Sequence, residues 1–105
     1  MGMDLFPGTL ELMILQVLRR GRLHGYGIAK LIKLRSAEAL KVEEGSLYPA
    51  LQRLLRQGWV TAEWRLTETK RRARYYALTA AGKKKLGEER SSFEGMVAAI
   101  GRVLQ

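Results

Sequence analysis

The chain holds one histidine, His24, no cysteine, and carboxylates that are scattered along it. No Ser, Asp or Cys accompanies His24 as a nucleophile or proton relay, so it reads as a turn or cap residue, not a catalyst. The absence of cysteine excludes disulfides, thiolate metal sites and thiol redox chemistry, and no catalytic, metal or cofactor site is expected. The residue types that do recur serve recognition. Tyr48, Gln52, Arg53 and Arg56 project from one side of a leucine-patterned stretch. Residues 65–85 hold eight cations, Arg65, Lys70, Arg71, Arg72, Arg74, Lys83, Lys84 and Lys85, against Glu68 alone, a net of +7 out of the chain's +9. Amide, phenol and guanidinium groups at helical spacing can meet base edges, and a dense cationic run can neutralise phosphates. Net charge by itself admits an acidic membrane surface as readily as nucleic acid.

These residues need elements to hold them. Across residues 43–58, Leu47, Leu51, Leu54 and Leu55 recur at helical spacing and leave the polar side chains on the opposite face. Ser46 is expected to cap this helix, with Pro49 in its first turn, where the missing amide has no helical partner, and Gly58 is expected to end it. Upstream, after a start that looks disordered, Pro7, Gly8 and Thr9 offer a turn and a cap. Leu10, Met13, Ile14, Val17 and Leu18 then mark a first helix ending at Arg19, Arg20 and Gly21. Leu12 and Leu15 fall outside that stripe, so this helix needs two burial surfaces. A glycine-punctuated turn from Leu23 to Gly27 leads to a second helix, with Ile28, Leu31 and Ile32 apolar and Lys30 and Lys33 off that face, running to about Arg35. The connector from Ser36 to Glu44 is polar, and Leu40 and Val42 alternate with Lys41 as one brief strand.

Downstream, Trp59 to Leu66 has strand composition, with Val60, Ala62, Trp64 and Leu66 on one side and a largely polar set on the other. Thr67 to Arg71 is the turn and Arg72 to Leu78 the returning strand, a hairpin with a cationic tip. Thr79 caps a last helix from Ala80 nearly to Gln105, about 35 Å long at 1.5 Å per residue. Past Leu86 its apolar residues Phe93, Val97, Ile100 and Leu104 step by 4, 3 and 4, with Met96 and Val103 widening the seam. Such a helix outreaches so small a body, and its expected partner is a second copy.

Three helices, a hairpin and a long final helix give a mostly α fold with a small β-hairpin. It is a winged helix-turn-helix at residues 5–79 followed by a C-terminal dimerisation helix at residues 80–105. The hydrophobic share of 47% fits a globular body, and 105 residues suit one compact unit. No run of about 18 apolar residues is present to span a membrane, and the N-terminus lacks the pattern of a signal peptide, so a cytoplasmic location is expected.

Several phrases in order resemble the PadR family of bacterial transcriptional regulators: Gly8 to Leu12, His24 to Ile28, Glu43 to Leu51, Arg71 to Tyr76 and Leu78 to Gly82. The resemblance covers roughly residues 5 to 90. It implies a homodimeric winged-helix repressor on a near-palindromic operator in double-stranded DNA, released in many members by a small hydrophobic effector. Carried over by position, it makes Ser46 to Gln57 the reading helix, with Ser46, Tyr48, Pro49, Gln52 and Arg53 at bases. Tyr26, Lys30, Arg56, Lys70, Arg71, Arg72 and Arg74 fall on the DNA backbone, and Leu86, Phe93, Met96, Val97, Ile100 and Leu104 in the dimer. Some small members hold planar drugs between tryptophans of the final helix. This chain has none there, since Trp59 and Trp64 lie on the wing strand, so the resemblance does not extend to that pocket, for which only Phe93 or Met96 could stand in as lining. Two other readings of the same features stay open: a protein-interaction module whose wing meets an acidic protein, and a sequence-blind architectural or RNA-binding protein.

Overall fold

The computed structural model describes residues 8–105. Pro7 and the start expected to be disordered lie outside them. Helix α1 (Thr9–Val17) begins behind Gly8, whose left-handed φ of 83° suits a glycine and whose carbonyl accepts from the Leu12 amide at 3.1 Å. A 3₁₀ turn (Leu18–Arg20) extends it to Gly21. Leu10, Ile14, Leu15, Val17 and Leu18 are all buried, so α1 runs through the centre of the core, as its wide apolar surface requires. Strand β1 (Leu23–His24) and helix α2 (Gly25–Arg35) follow. The His24 imidazole Nδ1 accepts from the Gly27 amide at 3.0 Å, which makes it the cap of α2.

Helix α3 (Glu44–Arg56) starts two residues before the expected cap. Ser46 lies inside its first turn, and Glu43 takes the cap position without a side-chain cap hydrogen bond. The Glu43 carbonyl accepts the Leu47 amide at 2.9 Å, and the Glu44 carboxylate sits where the helix dipole favours negative charge. Pro49 is therefore within the helix, not in its first turn, and the carbonyl it leaves without a helical donor belongs to Gly45, an exposed residue whose carbonyl water can reach. The other end is as expected. Gly58, at φ 75°, donates to the Leu55 carbonyl at 3.0 Å and Trp59 donates to Leu54 at 3.1 Å, the paired bonds of a Schellman motif. Leu47, Ala50, Leu51 and Leu54 are buried against Ile28 and Ile32 of α2 and the α1 side chains.

Strands β2 (Val60–Leu66) and β3 (Arg72–Leu78) pair antiparallel from Val60 opposite Leu78 to Leu66 opposite Arg72. Among the described residues the sheet has three strands in the order β1, β3, β2, because Leu23 and His24 pair with Tyr76 and Tyr75. The stretch expected to be only a turn thus adds an edge strand to the hairpin. No strand forms at residues 40–42. Leu40 and Val42 are instead half-buried against the core as parts of an irregular connector. The inner face of the hairpin is buried only at its base: Val60 and Tyr76 belong to the core, whereas Trp64 is 59% exposed.

Helix α4 (Ala80–Val103) is capped by Thr79, whose hydroxyl accepts from the Gly82 amide at 3.0 Å. Its first two turns pack on the body, and Leu86, 3% exposed, completes the core. Leu86 is therefore filled by its own chain and is not free for a second copy. Beyond it the helix leaves the body with Phe93, Met96, Val97, Ile100, Val103 and Leu104 exposed.

Candidate nucleic-acid interface

The start of α2, the outer face of α3 and the hairpin enclose one cleft of about 1270 Å³. Tyr26 and Lys30 of α2, Tyr48 and Gln52 of α3, and Arg71, Arg72 and Arg74 of the hairpin all line it. The helices approach closely at its base because Gly25 has no side chain: a Cβ there would lie 2.9 Å from the Tyr48 phenol oxygen. Tyr48 thus lies against α2 at Gly25 while staying 45% exposed. On the other side of the α2 cap, the His24 ring meets Tyr75 edge-on at 5.1 Å, tying α2 to β3.

Charge in the cleft is strongly positive. Lys30, Arg71, Arg72 and Arg74 line it against Glu68 alone. The Arg72 guanidinium lies over the Trp64 ring at 5.1 Å from its centroid, a cation–π contact that holds the long side chain out on the hairpin. The hairpin turn is closed by the Thr67 amide donating to the Arg71 carbonyl at 2.8 Å and the Lys70 amide donating to Thr67 at 2.9 Å. Lys70 takes the left-handed position of that turn at φ 62°, at the tip and outside the lining of the cleft. Beneath the cleft, burial pushes the Tyr76 phenol above its ordinary pKa, the neighbouring Tyr48 adds to the rise and Arg74 opposes it.

Other expected residues lie elsewhere. Ser46, Pro49 and Arg56 are exposed on α3 but do not line the cleft. Arg53 turns towards α1, where Nη2 and Nε face the two Glu11 carboxylate oxygens at 3.3 and 3.4 Å. That side-on pair joins residues 42 positions apart, and no local spacing announces it. Arg65 pairs with Glu63 at 2.6 Å on the outer face of β2, and Arg22 shares the same carboxylate oxygen. Trp64 and His24, which read in the sequence as packing and turn residues, both line the cleft. The exposed face of α4 carries Phe93, Met96, Val97, Ile100 and Leu104, while Lys85 at its base bonds Glu89 at 2.9 Å, which raises the pKa of its ammonium group. No helix of the described residues is long and apolar enough to cross a membrane.

Residues 14–88 match the model of the Transcriptional regulator PadR-like family. The chain belongs to that family. It is 32% identical over 78 residues to the negative transcriptional regulator PadR of Bacillus subtilis, an alignment that takes 74% of this chain and 43% of that protein. A transcriptional regulator from Clostridium thermocellum superposes with a TM-score of 0.85 at 30% identity, over 93% of this chain and 95% of the other. The Bacillus subtilis PadR crystallised in complex with operator DNA superposes with a TM-score of 0.67 at 31% identity, over 76% of this chain and 46% of that one. The chain thus spans less than half the length of the Bacillus protein.

Proposed function

We propose that this PadR-like protein is a cytoplasmic DNA-binding repressor that holds a near-palindromic operator as a homodimer. The observation that carries the reading is the cleft itself. It gathers base-reading groups on α3, Tyr48 and Gln52, with four cations of α2 and the wing, on one face of a fold whose relative was crystallised on operator DNA. In this reading α3 enters the major groove, and the wing and the start of α2 lie on phosphate or in the minor groove. Ser46, Pro49, Arg53 and Arg56, outside the cleft but exposed on α3, would meet DNA at its margins. The exposed apolar seam of α4 supports pairing of two copies. A small hydrophobic effector would enter that seam beside Phe93 and Met96, since α4 offers no indole to stack on.

Selection of bound duplexes from a random pool, followed by footprinting and titration across a salt series, tests the proposal. A twofold-symmetric footprint is expected, with log affinity falling linearly in log salt at about 0.9 per phosphate neutralised. Retention that ignores salt, or binding equal on selected and random duplexes, would exclude an operator-specific repressor and leave the protein-interaction or architectural readings.

A further inference from the structure

One side chain joins the end of α3 to the start of α4. The Thr79 hydroxyl donates to the Gly58 carbonyl at 2.8 Å while accepting from the Gly82 amide at 3.0 Å. The Thr79 amide donates to the Trp59 carbonyl at 3.1 Å. Gly82 lies so close to that carbonyl that a Cβ on it would sit 2.0 Å from the oxygen. The Lys85 ammonium lies 4.9 Å from the centroid of the Trp59 ring. Gly58 and Trp59 are the same two residues that close α3 through Leu55 and Leu54. The last turn of the reading helix and the first turn of the pairing helix are thus fastened to one two-residue anchor.

Capping α4 requires only that Thr79 accept from Gly82. Its donation to Gly58 does nothing for the cap and serves to tie two elements together. The tie acts on a long lever. The seam from Phe93 onward starts about 20 Å along the helix from Thr79, so a tilt of about 10° at the joint shifts it by about 3.5 Å, close to the ~3.4 Å rise of one base pair.

The geometry points to Thr79 as a positioning residue that fixes the angle between α3 and α4, and through it the separation of the half-sites that a dimer reads. The inference rests on the dimeric DNA-binding reading above. Thr79→Ser keeps both hydroxyl bonds, whereas Thr79→Asp keeps an acceptor for the Gly82 amide and loses the donor to Gly58. Each protein is titrated with duplexes in which two selected half-sites are moved apart or together one base pair at a time, with one isolated half-site as a control.

The wild type and Thr79→Ser are expected to lose at least tenfold in affinity at one base pair from the optimum. Thr79→Asp is expected to sediment as a dimer and to bind the isolated half-site as the wild type does. Its spacing preference should flatten below threefold or move by a base pair. A Thr79→Asp spacing profile superimposable on the wild type overturns the inference. So does loss of dimerisation or of half-site binding in that variant, because Thr79 would then hold the fold and not the spacing. A wild-type chain that binds paired half-sites no better than one fails the dimer reading itself, and the first titration shows this before any variant is compared.

Discussion

Gln52 is uncharged and stands on α3, whereas Arg71 and Arg72 stand on the wing, and all three line the same cleft. Their contributions should therefore separate by kind. Gln52→Ala is expected to change the preferred sequence by about 1–3 kcal/mol at the base it reads, with the salt dependence unaltered. Arg71→Ala or Arg72→Ala should weaken binding to every duplex alike and lower the salt slope by about 0.9 each. Isotherms on selected and random duplexes across a salt series check both, and equal effects of the two kinds of substitution would refute the division. Tyr76, beneath the cleft, gives a pH signature. Its phenol is raised above 10.0 in the folded chain, chiefly by burial, so the native state keeps the proton to higher pH than the unfolded state. The stability this provides is complete below about pH 10 and is lost as pH climbs through the folded value. Urea unfolding from pH 8 to 11 should thus show a steeper alkaline loss in the wild type than in Tyr76→Phe. Parallel curves would argue that the phenol does not titrate differently in the two states.

Among the elements, α2 ends in a conformation its sequence does not favour. Ala37, at φ 52°, donates to the Leu34 carbonyl at 3.1 Å, and Glu38, at φ 66°, donates to Lys33 at 2.8 Å. This is the motif that Gly58 completes at the end of α3, here built without glycine. A left-handed alanine costs about 1–2 kcal/mol, and replacing it with glycine gives back about 0.4–1 kcal/mol in unfolded-state entropy. Ala37→Gly should therefore stabilise the protein by roughly 0.5–1 kcal/mol, seen as a rise of a few degrees in Tm. A lower Tm would mean that residues 37–38 are held by packing and not by this turn. The ends of these helices also differ in how far their sequence foretells them. Gly58 announces the end of α3 because a glycine there has one purpose, and the leucine spacing announces its buried face. The start of α3 is misplaced because Ser46 and Pro49 look like a cap and a first turn, while Glu43 shapes the true start with its backbone alone. β1 is hidden because two residues carry no period, and only Tyr75 and Tyr76, some fifty positions on, make them a strand. The cleft is partly legible: Tyr48, Gln52 and the wing arginines stand out by type and place, but the turn of Arg53 towards Glu11 depends on a tertiary contact.

For the whole molecule the question is what covers α4. Leu86, Phe93, Val97, Ile100 and Leu104 lie on one continuous helical stripe, and periodicity cannot say where along it the chain's own core ends. That core ends at Leu86, after which α4 leaves the body. Everything on the stripe beyond it is exposed, so a charge introduced there should leave the fold intact and act on pairing alone. Val97→Glu with Ile100→Glu is expected to sediment as a monomer, with the same helical circular dichroism and thermal cooperativity as the unpaired wild type at high dilution. Two half-sites about 34–36 Å apart must be met by two linked reading helices, so such a monomer forfeits the gain of binding the second site intramolecularly. Its affinity for the full operator should fall about 10²-fold or more, while its affinity for an isolated half-site stays that of the wild type. If the doubly charged protein still sedimented as a dimer, the pairing surface would lie elsewhere. If it were a monomer that bound the full operator undiminished, the two half-sites would be read independently, and the angle between α3 and α4 would have no bearing on their spacing.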